Sequence, residues 1–235
     1  MNIDVIPYAS AIRDDLTENK SVVVIDVLRA SSVIVTALFN GAQSVVPVKT
    51  VDAAFDTADK KRSNCLLAGE RDTRKPDGFH LGNSPLDYKK EIVSGKTIVL
   101  TTSNGTKALN RINNAKEIFI GSFLNVDAVV KKLNGKEQVA LVCSGTNNTF
   151  SMDDAMCAAM ITDKLMINNE VQLSDFTLTI LKAYNTGKGN LRELLNDCYH
   201  LNLLIRNGFA KDVEYCLQTN KYQVVPKVVN GEIIL

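Results

Sequence analysis

The stretch KSVVVIDVLRASS, residues 20–32, places charged and hydroxyl side chains directly after an apolar run. Asp26 could bind a metal ion or act as a nucleophile, because a carboxylate offers two anionic oxygens. Arg29 carries a planar fork that suits a phosphate group, and Ser31 and Ser32 add hydroxyl groups. A structural interpretation stays open, in which Asp26 forms a salt bridge with Arg29 or caps a helix. The stretch therefore predicts either one wall of an anion and metal site or an ordinary strand end.

Two further segments repeat this design, in which small polar residues and a helical pattern follow an apolar run. They are TIVLTTSNGTKAL at 97–109 and VALVCSGTNNTFSMDDAM at 139–156. In an open parallel sheet, ligands bind beyond the carboxyl ends of the strands, where helix N-termini favour anions. The same residue types are common in turns and helix caps, which is a sufficient reason for any one loop. The three loops together favour function, and the candidate substrate-binding residues are Ser31, Ser32, Ser103, Asn104, Gly105, Thr106, Ser144, Gly145 and Thr146.

A long loop follows another apolar run in LLAGERDTRKPDGFHLGNSPLDY, residues 66–88. Ser84 before Pro85 is typical of a helix N-cap followed by proline at the first helical position. Glu70 and Arg71 have no such structural explanation, and a loop of this length usually lines a site, although basic loop residues are often only solvated. The residues that we predict to act in catalysis are Asp26, Arg29, Glu70 and Arg71.

The segment SMDDAM, residues 151–156, places two aspartates at the start of a long helical pattern. Acidic residues in a first turn are favoured by the helix dipole, which is a strong structural reason for both. Adjacent helical residues point about 100° apart, so at most one of the pair should face a given site. We choose Asp154 as the candidate metal ligand and Asp153 as the second choice.

The composition is that of an ordinary globular chain and argues against several classes of protein. The 235 residues are 45% hydrophobic and 23% charged, with a formal net charge of +1. Nucleic-acid-binding proteins usually carry a clearly basic face, and the apolar runs of this chain are too short for a membrane span. We also expect no signal peptide, because MNIDVIPYAS lacks a basic region followed by an apolar run.

The cysteines and histidines restrict the metal chemistry. The five cysteines form no C-x-x-C pair, so a structural zinc site is not expected, and we interpret them as free thiols in a reducing cytoplasm. The two histidines, His80 and His200, are too few for a histidine-rich metal centre. Any metal ion would therefore be held mostly by oxygen ligands.

Short apolar runs alternate with helical patterns along the first two thirds of the chain. The predicted strands lie at 3–7, 21–27, 44–49, 64–70, 97–102, 117–122 and 138–144. The predicted helices lie at about 30–40, 50–61, 86–92, 104–113 and 125–134. Near the C-terminus, Asn230-Gly231 predicts a hairpin between two short strands. The alternation predicts one α/β domain over residues 1–235, a layered sandwich with a largely parallel sheet and a mainly helical C-terminal third at about 152–217.

The motifs IDVLRASSVIVTAL, AGERDTRKPDGFHLGNSP, TTSNGTKAL and FSMDDAMCA together resemble the 2-phosphosulfolactate phosphatase family. They follow the family's order and cover most of residues 20–160, and the closing segment DVEYCLQTNKYQVVPKV is also similar. The resemblance implies a magnesium-dependent phosphatase that hydrolyses 2-phospho-3-sulfolactate to 3-sulfolactate and phosphate, a step on a coenzyme M route. It also implies an α/β fold unlike that of the better-known phosphatases.

Such a substrate would carry roughly four negative charges from its phosphate, sulfonate and carboxylate groups. Mg²⁺ prefers oxygen ligands and is usually held by one or two carboxylates together with waters and phosphate oxygens. We expect Asp26, Glu70 and Asp154 to supply the carboxylates. The alternative is a non-catalytic protein that binds a small anionic metabolite through the same loops. We expect no nucleic acid or membrane as a partner, and the sequence is compatible with a homodimer.

Overall fold

The computed structural model describes residues 1–61 and 64–235, and these residues form ten strands. The strands are β1 (Asn2–Ile6), β2 (Ser21–Ile25), β3 (Ser44–Pro47), β4 (Cys65–Gly69), β5 (Thr97–Thr101), β6 (Glu117–Gly121), β7 (Gln138–Cys143), β8 (Gln172–Leu173), β9 (Lys227–Val229) and β10 (Glu232–Ile234). The seven strands predicted from apolar runs are confirmed as β1 to β7. The predicted hairpin joins β9 to β10, and φ is positive at both turn residues, Asn230 and Gly231, as a tight two-residue turn requires.

The described residues also form eleven α-helices. They are α1 (Asp14–Thr17), α2 (Ala30–Phe39), α3 (Val51–Lys61), α4 (Lys90–Val93), α5 (Gly105–Leu109), α6 (Val126–Leu133), α7 (Met152–Leu165), α8 (Asp175–Asn185), α9 (Leu191–Leu194), α10 (Tyr199–Arg206) and α11 (Ala210–Cys216). In the part of the chain that is described, none of these helices has both the length and the apolar character needed to cross a membrane.

Two of the predicted helices differ from the structure. The stretch at 86–92 splits into a 3₁₀ turn at Pro85–Asp87 and the short α4, because Lys89 between them has an extended backbone. The helix predicted at 104–113 ends at Leu109. There the Asn110 side chain donates a hydrogen bond of 2.6 Å to the Thr106 carbonyl, and such local bonds compete with continuation of a helix.

All ten strands belong to one sheet, in the order β4-β5-β3-β10-β9-β6-β2-β7-β1-β8. The first three strands in this order pair in parallel, and so do the last five. The β9–β10 hairpin is inserted between the two parallel groups and pairs antiparallel with β3 and with β6. The largely parallel sheet is therefore confirmed, with a short antiparallel hairpin at its centre.

Helices cover both faces of the sheet. Along β2, Val22 and Val24 pack on the side of α2, whereas Val23 and Ile25 pack on the side of α6 and α7. The C-terminal helices α8, α10 and α11 complete that second layer. Strands that are buried on both faces need apolar residues at every position, which explains why β2 is a continuous apolar run. The layered α/β architecture with a helical C-terminal third is thus confirmed.

The two parallel groups run in opposite directions, because three antiparallel pairings separate β3 from β6. In a flat sheet, their carboxyl ends would lie at opposite edges. Val24 of β2 and Leu100 of β5 nevertheless pack in one hydrophobic cluster with α2. The loops that follow β2, β4, β5 and β7 also line one cavity, so strand ends of both groups meet there. The rule for open parallel sheets alone would not place these four loops together.

The close packing of β4 on β5 generates a first prediction. Gly69 has a φ of +136°, and a Cβ atom there would lie 1.9 Å from the Thr101 carbonyl oxygen. We expect Gly69→Ala to lower the free energy of unfolding by about 3 kcal/mol or more, since backbone strain and overlap both oppose the methyl group. The control is Gly95→Ala, where φ is +71° but no atom lies within 4 Å, and its cost should be about 1 kcal/mol. Urea unfolding measures the free energy of unfolding of both variants. Equal losses in the two variants would contradict the close approach of Gly69 to the Thr101 carbonyl.

Candidate active site

A cavity of about 220 Å³ lies where the loops at the strand ends meet. Its wall is formed by the loops after β2, β4, β5 and β7 and by α10. The predicted site residues that line it are Asp26, Arg29, Glu70, Ser103, Asn104 and Thr146. Each of the three loops of similar design therefore contributes to the same cavity, together with the start of the long loop at 66–88.

Asp26 lines the cavity with only 7% of its surface exposed. Its Oδ1 accepts a hydrogen bond of 3.1 Å from the Ala30 amide, so it also caps the start of α2. Burial raises the pKa of Asp26 to about 6. The charge of His200 and the Ala30 amide oppose this rise, while the nearby carboxylates of Asp153 and Glu70 add to it. A cation beside Asp26 would therefore stabilise the ionised carboxylate.

Glu70 is held at the end of β4 by three hydrogen bonds. Its Oε1 accepts from the Ser103 amide at 2.6 Å, and its Oε2 accepts from the Ser103 hydroxyl at 3.1 Å and the Thr73 amide at 3.0 Å. Ser103 belongs to the loop after β5, so Glu70 joins that loop to its own. The carboxylate is thus fixed in orientation while it lines the cavity.

Arg29 is buried in the cavity wall, but its partner is Asp212 rather than Asp26. Its Nη1 lies 2.5 Å from Oδ2 of Asp212 in α11, and its guanidinium stacks at 4.1 Å over the ring of Phe209. Asp212 also accepts a hydrogen bond of 2.8 Å from the Ser84 hydroxyl. The salt bridge between Arg29 and Asp26 that the sequence left open is therefore wrong, because a residue from the C-terminal helices holds the guanidinium.

Arg71 does not take the catalytic position predicted for it. Its guanidinium donates to the carbonyl oxygens of Glu70 at 2.7 Å and Lys49 at 3.0 Å. It also donates to the Thr101 hydroxyl at 2.6 Å. These bonds fasten the end of β4 to β5, and the side chain lies outside the set that lines the cavity. The structure therefore gives Arg71 a role in shaping the loop.

Asp154 lies behind the cavity wall, where it connects two loops. Its Oδ1 accepts a hydrogen bond of 2.8 Å from the Val27 amide, and its Oδ2 accepts one of 3.0 Å from the Gly145 amide. Burial raises the pKa of Asp154 well above its ordinary value, and the carboxylates of Asp153 and Asp26 raise it further. Since backbone amides occupy both oxygens, the structure does not support the metal-ligand role predicted for Asp154. We call this arrangement the Asp154 clamp.

Asp153 faces His200 at the start of α10. Nδ1 of His200 lies 3.5 Å from Oδ2 of Asp153, while Oδ1 of Asp153 accepts from the Ser151 hydroxyl and the Cys198 thiol. Burial alone would lower the pKa of His200, but the charge of Asp153 reverses this and raises it. Burial would likewise raise the pKa of Asp153, and the charge of His200 instead lowers it. Each side chain therefore favours the charged form of the other, and His200 lines the cavity.

The hydroxyl groups of four predicted substrate-binding residues do not reach the cavity. Ser31 accepts from the amide of Asp26 at 2.8 Å, and Ser32 and Thr106 donate to backbone carbonyls of their own loops at 2.8 and 2.9 Å. Ser144 is buried, with 1% of its surface exposed. For Ser31, Ser32 and Thr106 the cap and turn interpretation explains the sequence better, because backbone groups already use their hydroxyls. The Ser144 hydroxyl has no hydrogen-bond partner among the described residues, so that interpretation does not explain it.

Two predicted glycines make room for other groups. A Cβ atom at Gly105 would lie 2.6 Å from Oδ2 of Asp26, and one at Gly145 would lie 2.6 Å from the Cβ of Tyr8. Neither glycine lines the cavity itself. Gly105 therefore serves the site indirectly, by leaving space for the Asp26 carboxylate.

Sequence reasoning missed Asp212, the partner of Arg29, and six polar residues that line the cavity, namely Asp72, Thr73, Asn83, Asn147, His200 and Asn207. The only signal for His200 was the scarcity of histidine in the chain. Asn147 lies in a loop that was identified, and its φ of +53° is one that asparagine tolerates. Asn83 precedes Ser84, whose hydroxyl donates to Asp212 and does not cap the 3₁₀ turn as its position before Pro85 predicts.

Asp26 and Glu70 are the two carboxylates of the predicted metal set that line the cavity. Among residues 1–61 and 64–235, no three His, Cys, Asp or Glu side chains are grouped so as to hold a metal ion. Mg²⁺ commonly takes only one or two protein carboxylates and completes its shell with water and phosphate oxygens. The pair fits that pattern, and the raised pKa of Asp26 is the effect that a bound cation would offset.

The Asp154 clamp generates a second prediction. In Asp154→Asn, the amide oxygen can accept from one backbone N–H, but the NH₂ group would face the other N–H. We expect the free energy of unfolding to fall by about 2–4 kcal/mol, because a buried donor loses its partner. Denaturant unfolding measures this loss, and the Mg²⁺ concentration that activity requires should stay unchanged. An increased Mg²⁺ requirement with wild-type stability would instead identify Asp154 as a ligand.

The Asp153–His200 pair generates a pH-dependent prediction. The His200 contribution to stability is full below its unfolded pKa of 6.5 and is lost as the pH rises through the higher folded pKa. The Asp153 contribution is present above its unfolded pKa of 3.8 and is lost as the pH falls through the lower folded pKa. We expect His200→Gln to cost more stability at about pH 6 than at about pH 9, by on the order of 1 kcal/mol. Denaturant unfolding of wild type and variant at both pH values measures this difference. An equal loss of stability at the two pH values would contradict a charged pair.

Comparison with known proteins agrees with the resemblance seen in the motifs. A family model described as 2-phosphosulpholactate phosphatase matches residues 7–231. A relative from Clostridium perfringens (strain SM101 / Type A), named probable 2-phosphosulfolactate phosphatase, is 44% identical over 99% of this chain and 96% of its own length. A relative of the same name from Thermotoga petrophila is 46% identical over 93% of each chain. The chain therefore belongs to the 2-phosphosulpholactate phosphatase family of phosphoric monoester hydrolases.

Proposed function

We propose that this phosphatase hydrolyses 2-phospho-3-sulfolactate to 3-sulfolactate and phosphate and that it requires Mg²⁺. The observation that carries the proposal is the cavity, in which two buried carboxylates, Asp26 and Glu70, lie with the buried guanidinium of Arg29. Relatives with more than two fifths of their residues identical are named for this substrate. A cavity of about 220 Å³ also suits a compact metabolite better than a large ligand.

The donors around the cavity suit a substrate with several anionic groups. Arg29 keeps N–H groups beyond the one that contacts Asp212, and its stacking on Phe209 fixes the plane in which they point. Asn104 and Thr146 offer neutral polar groups from two other loops. We propose that these residues bind the sulfonate and carboxylate groups and that Asp26 and Glu70 face the phosphoryl group.

Asp26 and Glu70 are the residues that would hold Mg²⁺. When bound, the ion supplies positive charge that offsets the charge on the phosphoryl oxygens. The protein keeps the Glu70 carboxylate in place through Ser103 and Thr73, and it keeps the Asp26 carboxylate in place through Ala30. Burial excludes water from both side chains and so strengthens their interaction with a cation.

We further propose that the enzyme works in the cytoplasm and serves a coenzyme M route. All five cysteines are free, and four of them are buried, which agrees with a reducing compartment. The route is proposed from the family resemblance and from the reaction named for the relatives. The alternative of a non-catalytic anion-binding protein gains no support from these relatives, which are named as phosphatases.

The test is the release of inorganic phosphate from 2-phospho-3-sulfolactate, with Mg²⁺ and with excess EDTA. We expect turnover only with Mg²⁺, and Asp26→Asn should reduce it by about 10²- to 10⁴-fold. The variant should melt at or above the wild-type temperature, because asparagine can still accept from Ala30 and a desolvated carboxyl is removed.

The control for this test is Asp59→Asn, at an exposed position on α3, which should retain wild-type turnover. Full activity in excess EDTA would overturn the Mg²⁺ requirement. Binding of the substrate without phosphate release under either condition would favour the non-catalytic alternative. A variant that melts much earlier yet retains turnover would show that Asp26 is only a helix cap.

A further inference from the structure

His200 is a cavity residue to which neither the sequence motifs nor the proposed metal site assigns a role. It lies in the first turn of α10, and its side chain is 12% exposed. The carboxylates of the cavity come instead from the loops after β2 and β4. The C-terminal helical layer therefore presents an imidazole to the same cavity that holds Asp26 and Glu70.

Asp153 lies beside the imidazole at ion-pair distance, and its Oδ2 has no hydrogen-bond partner among the described residues. Nδ1 lies 3.5 Å from Oδ2 of Asp153, so Nε2 is the ring nitrogen left for a ligand in the cavity. The other oxygen of Asp153 is fixed by the Ser151 hydroxyl and the Cys198 thiol. Asp153 is itself fully buried and cannot reach a substrate. The pair has the arrangement of a histidine that carries a proton and a carboxylate that orients it.

The charges around His200 favour the protonated ring. Asp153 faces it from α7 and Asp26 faces it from the loop after β2, while Arg29 opposes them. The Cys198 thiol beside Asp153 is neutral, since burial raises its pKa to about 12. The net effect is a pKa of His200 above its ordinary value, although burial alone would lower it. The carboxylates of Asp153 and Asp26 thus favour an imidazolium in a cavity that Asp26, Glu70 and Asp72 also line.

We infer that His200 is the proton donor to the leaving oxygen of the phosphate ester and that Asp153 is its positioning residue. The inference rests on the proposed phosphatase reaction. The P–O bond to the substrate alcohol breaks, and its electron pair stays on the alcohol oxygen, which takes the proton from Nε2. The oxygen of a water molecule forms the new bond to phosphorus, and a proton of that water restores the imidazolium. The products are 3-sulfolactate and phosphate, and the enzyme returns to its starting form.

The need for such a donor follows from the leaving group. The alcohol of a hydroxy acid is a weak acid, so its oxygen leaves poorly as an alkoxide and well as a protonated alcohol. A positioned proton donor typically contributes about 10²- to 10⁴-fold to such a step. A nitrophenolate ion is a much better leaving group, and its departure needs little help from a proton. The two kinds of ester therefore separate proton donation from any general effect on binding or folding.

The experiment compares wild type, His200→Gln and Asp153→Asn on 2-phospho-3-sulfolactate and on p-nitrophenyl phosphate. We expect both variants to lose kcat on the alkyl ester, by on the order of 10²-fold for His200→Gln and less for Asp153→Asn. On the aryl ester, each should lose less than about fivefold. The control is His80→Gln, the same change at the other histidine, whose ring accepts from the Leu67 amide outside the cavity. It should show no difference between the two esters.

The outcomes distinguish the inference from the function on which it rests. Wild type that releases phosphate from neither ester would overturn the proposed function and the inference with it. Two results with an active wild type would overturn the inference alone. In the first, His200→Gln loses kcat equally on both esters. In the second, His200→Gln hydrolyses the alkyl ester at the wild-type rate.

If wild type hydrolyses only the alkyl ester, the two esters cannot be compared, and imidazole is instead added to the His200→Ala variant. Recovery of turnover by this variant would support proton donation, and a lack of recovery would overturn it. If His200→Gln melts below the assay temperature, the test uses Asp153→Asn, and its loss of kcat on the alkyl ester is compared with its loss on the aryl ester. A larger loss on the alkyl ester would support the inference, and equal losses would overturn it.

Discussion

The Asp154 clamp is the interaction on which the rest of the site depends. β2 and β7 are neighbours in parallel register, with Ile25 opposite Cys143, so the chain leaves both strands at the same level of the sheet. One carboxylate can therefore bind the amides of both departing loops, those of Val27 and Gly145. The arrangement costs free energy, because a carboxylate is buried with two others nearby. In return, it fixes the separation of the loops that carry Asp26 and Thr146.

The helical C-terminal third is part of the site rather than a cover for the sheet. Arg29 follows a strand of the first half of the chain, and its partner Asp212 lies in α11. Asp153 lies in the first turn of α7, and its partner His200 lies in the first turn of α10. In both pairs the orientation of one cavity residue is set by a charge from another helix, which a truncated chain would lack. This agrees with the family match, which runs over residues 7–231 and not over the strand-end motifs alone.

The sequence predicted local features well because each of them has a local physical cause. A strand buried on both faces needs an unbroken apolar run, which is why β1 to β7 could be identified. The loops that line the cavity were found for a similar reason, since small polar residues follow those runs. Arg71 and Ser31 show where this reasoning fails, because their side chains bind backbone atoms that the sequence does not place. His200 and Asp212 could not be found at all, since their partners are distant in sequence and no spacing rule connects them. The opposite directions of the two parallel groups were missed too, because they depend on where the β9–β10 hairpin is inserted.

The charges of the cavity wall explain why a polyanionic substrate and a dication belong together. The two cations of the wall are already paired, Arg29 with Asp212 and His200 with Asp153. Asp26 and Glu70 receive hydrogen bonds from amides and a hydroxyl, which orient them without neutralising them. Without a cation, the wall of the cavity is therefore net negative and would repel a ligand with roughly four negative charges. A dication held by those two carboxylates would offset their negative charge and remove the repulsion. The cavity wall would then attract the anionic substrate.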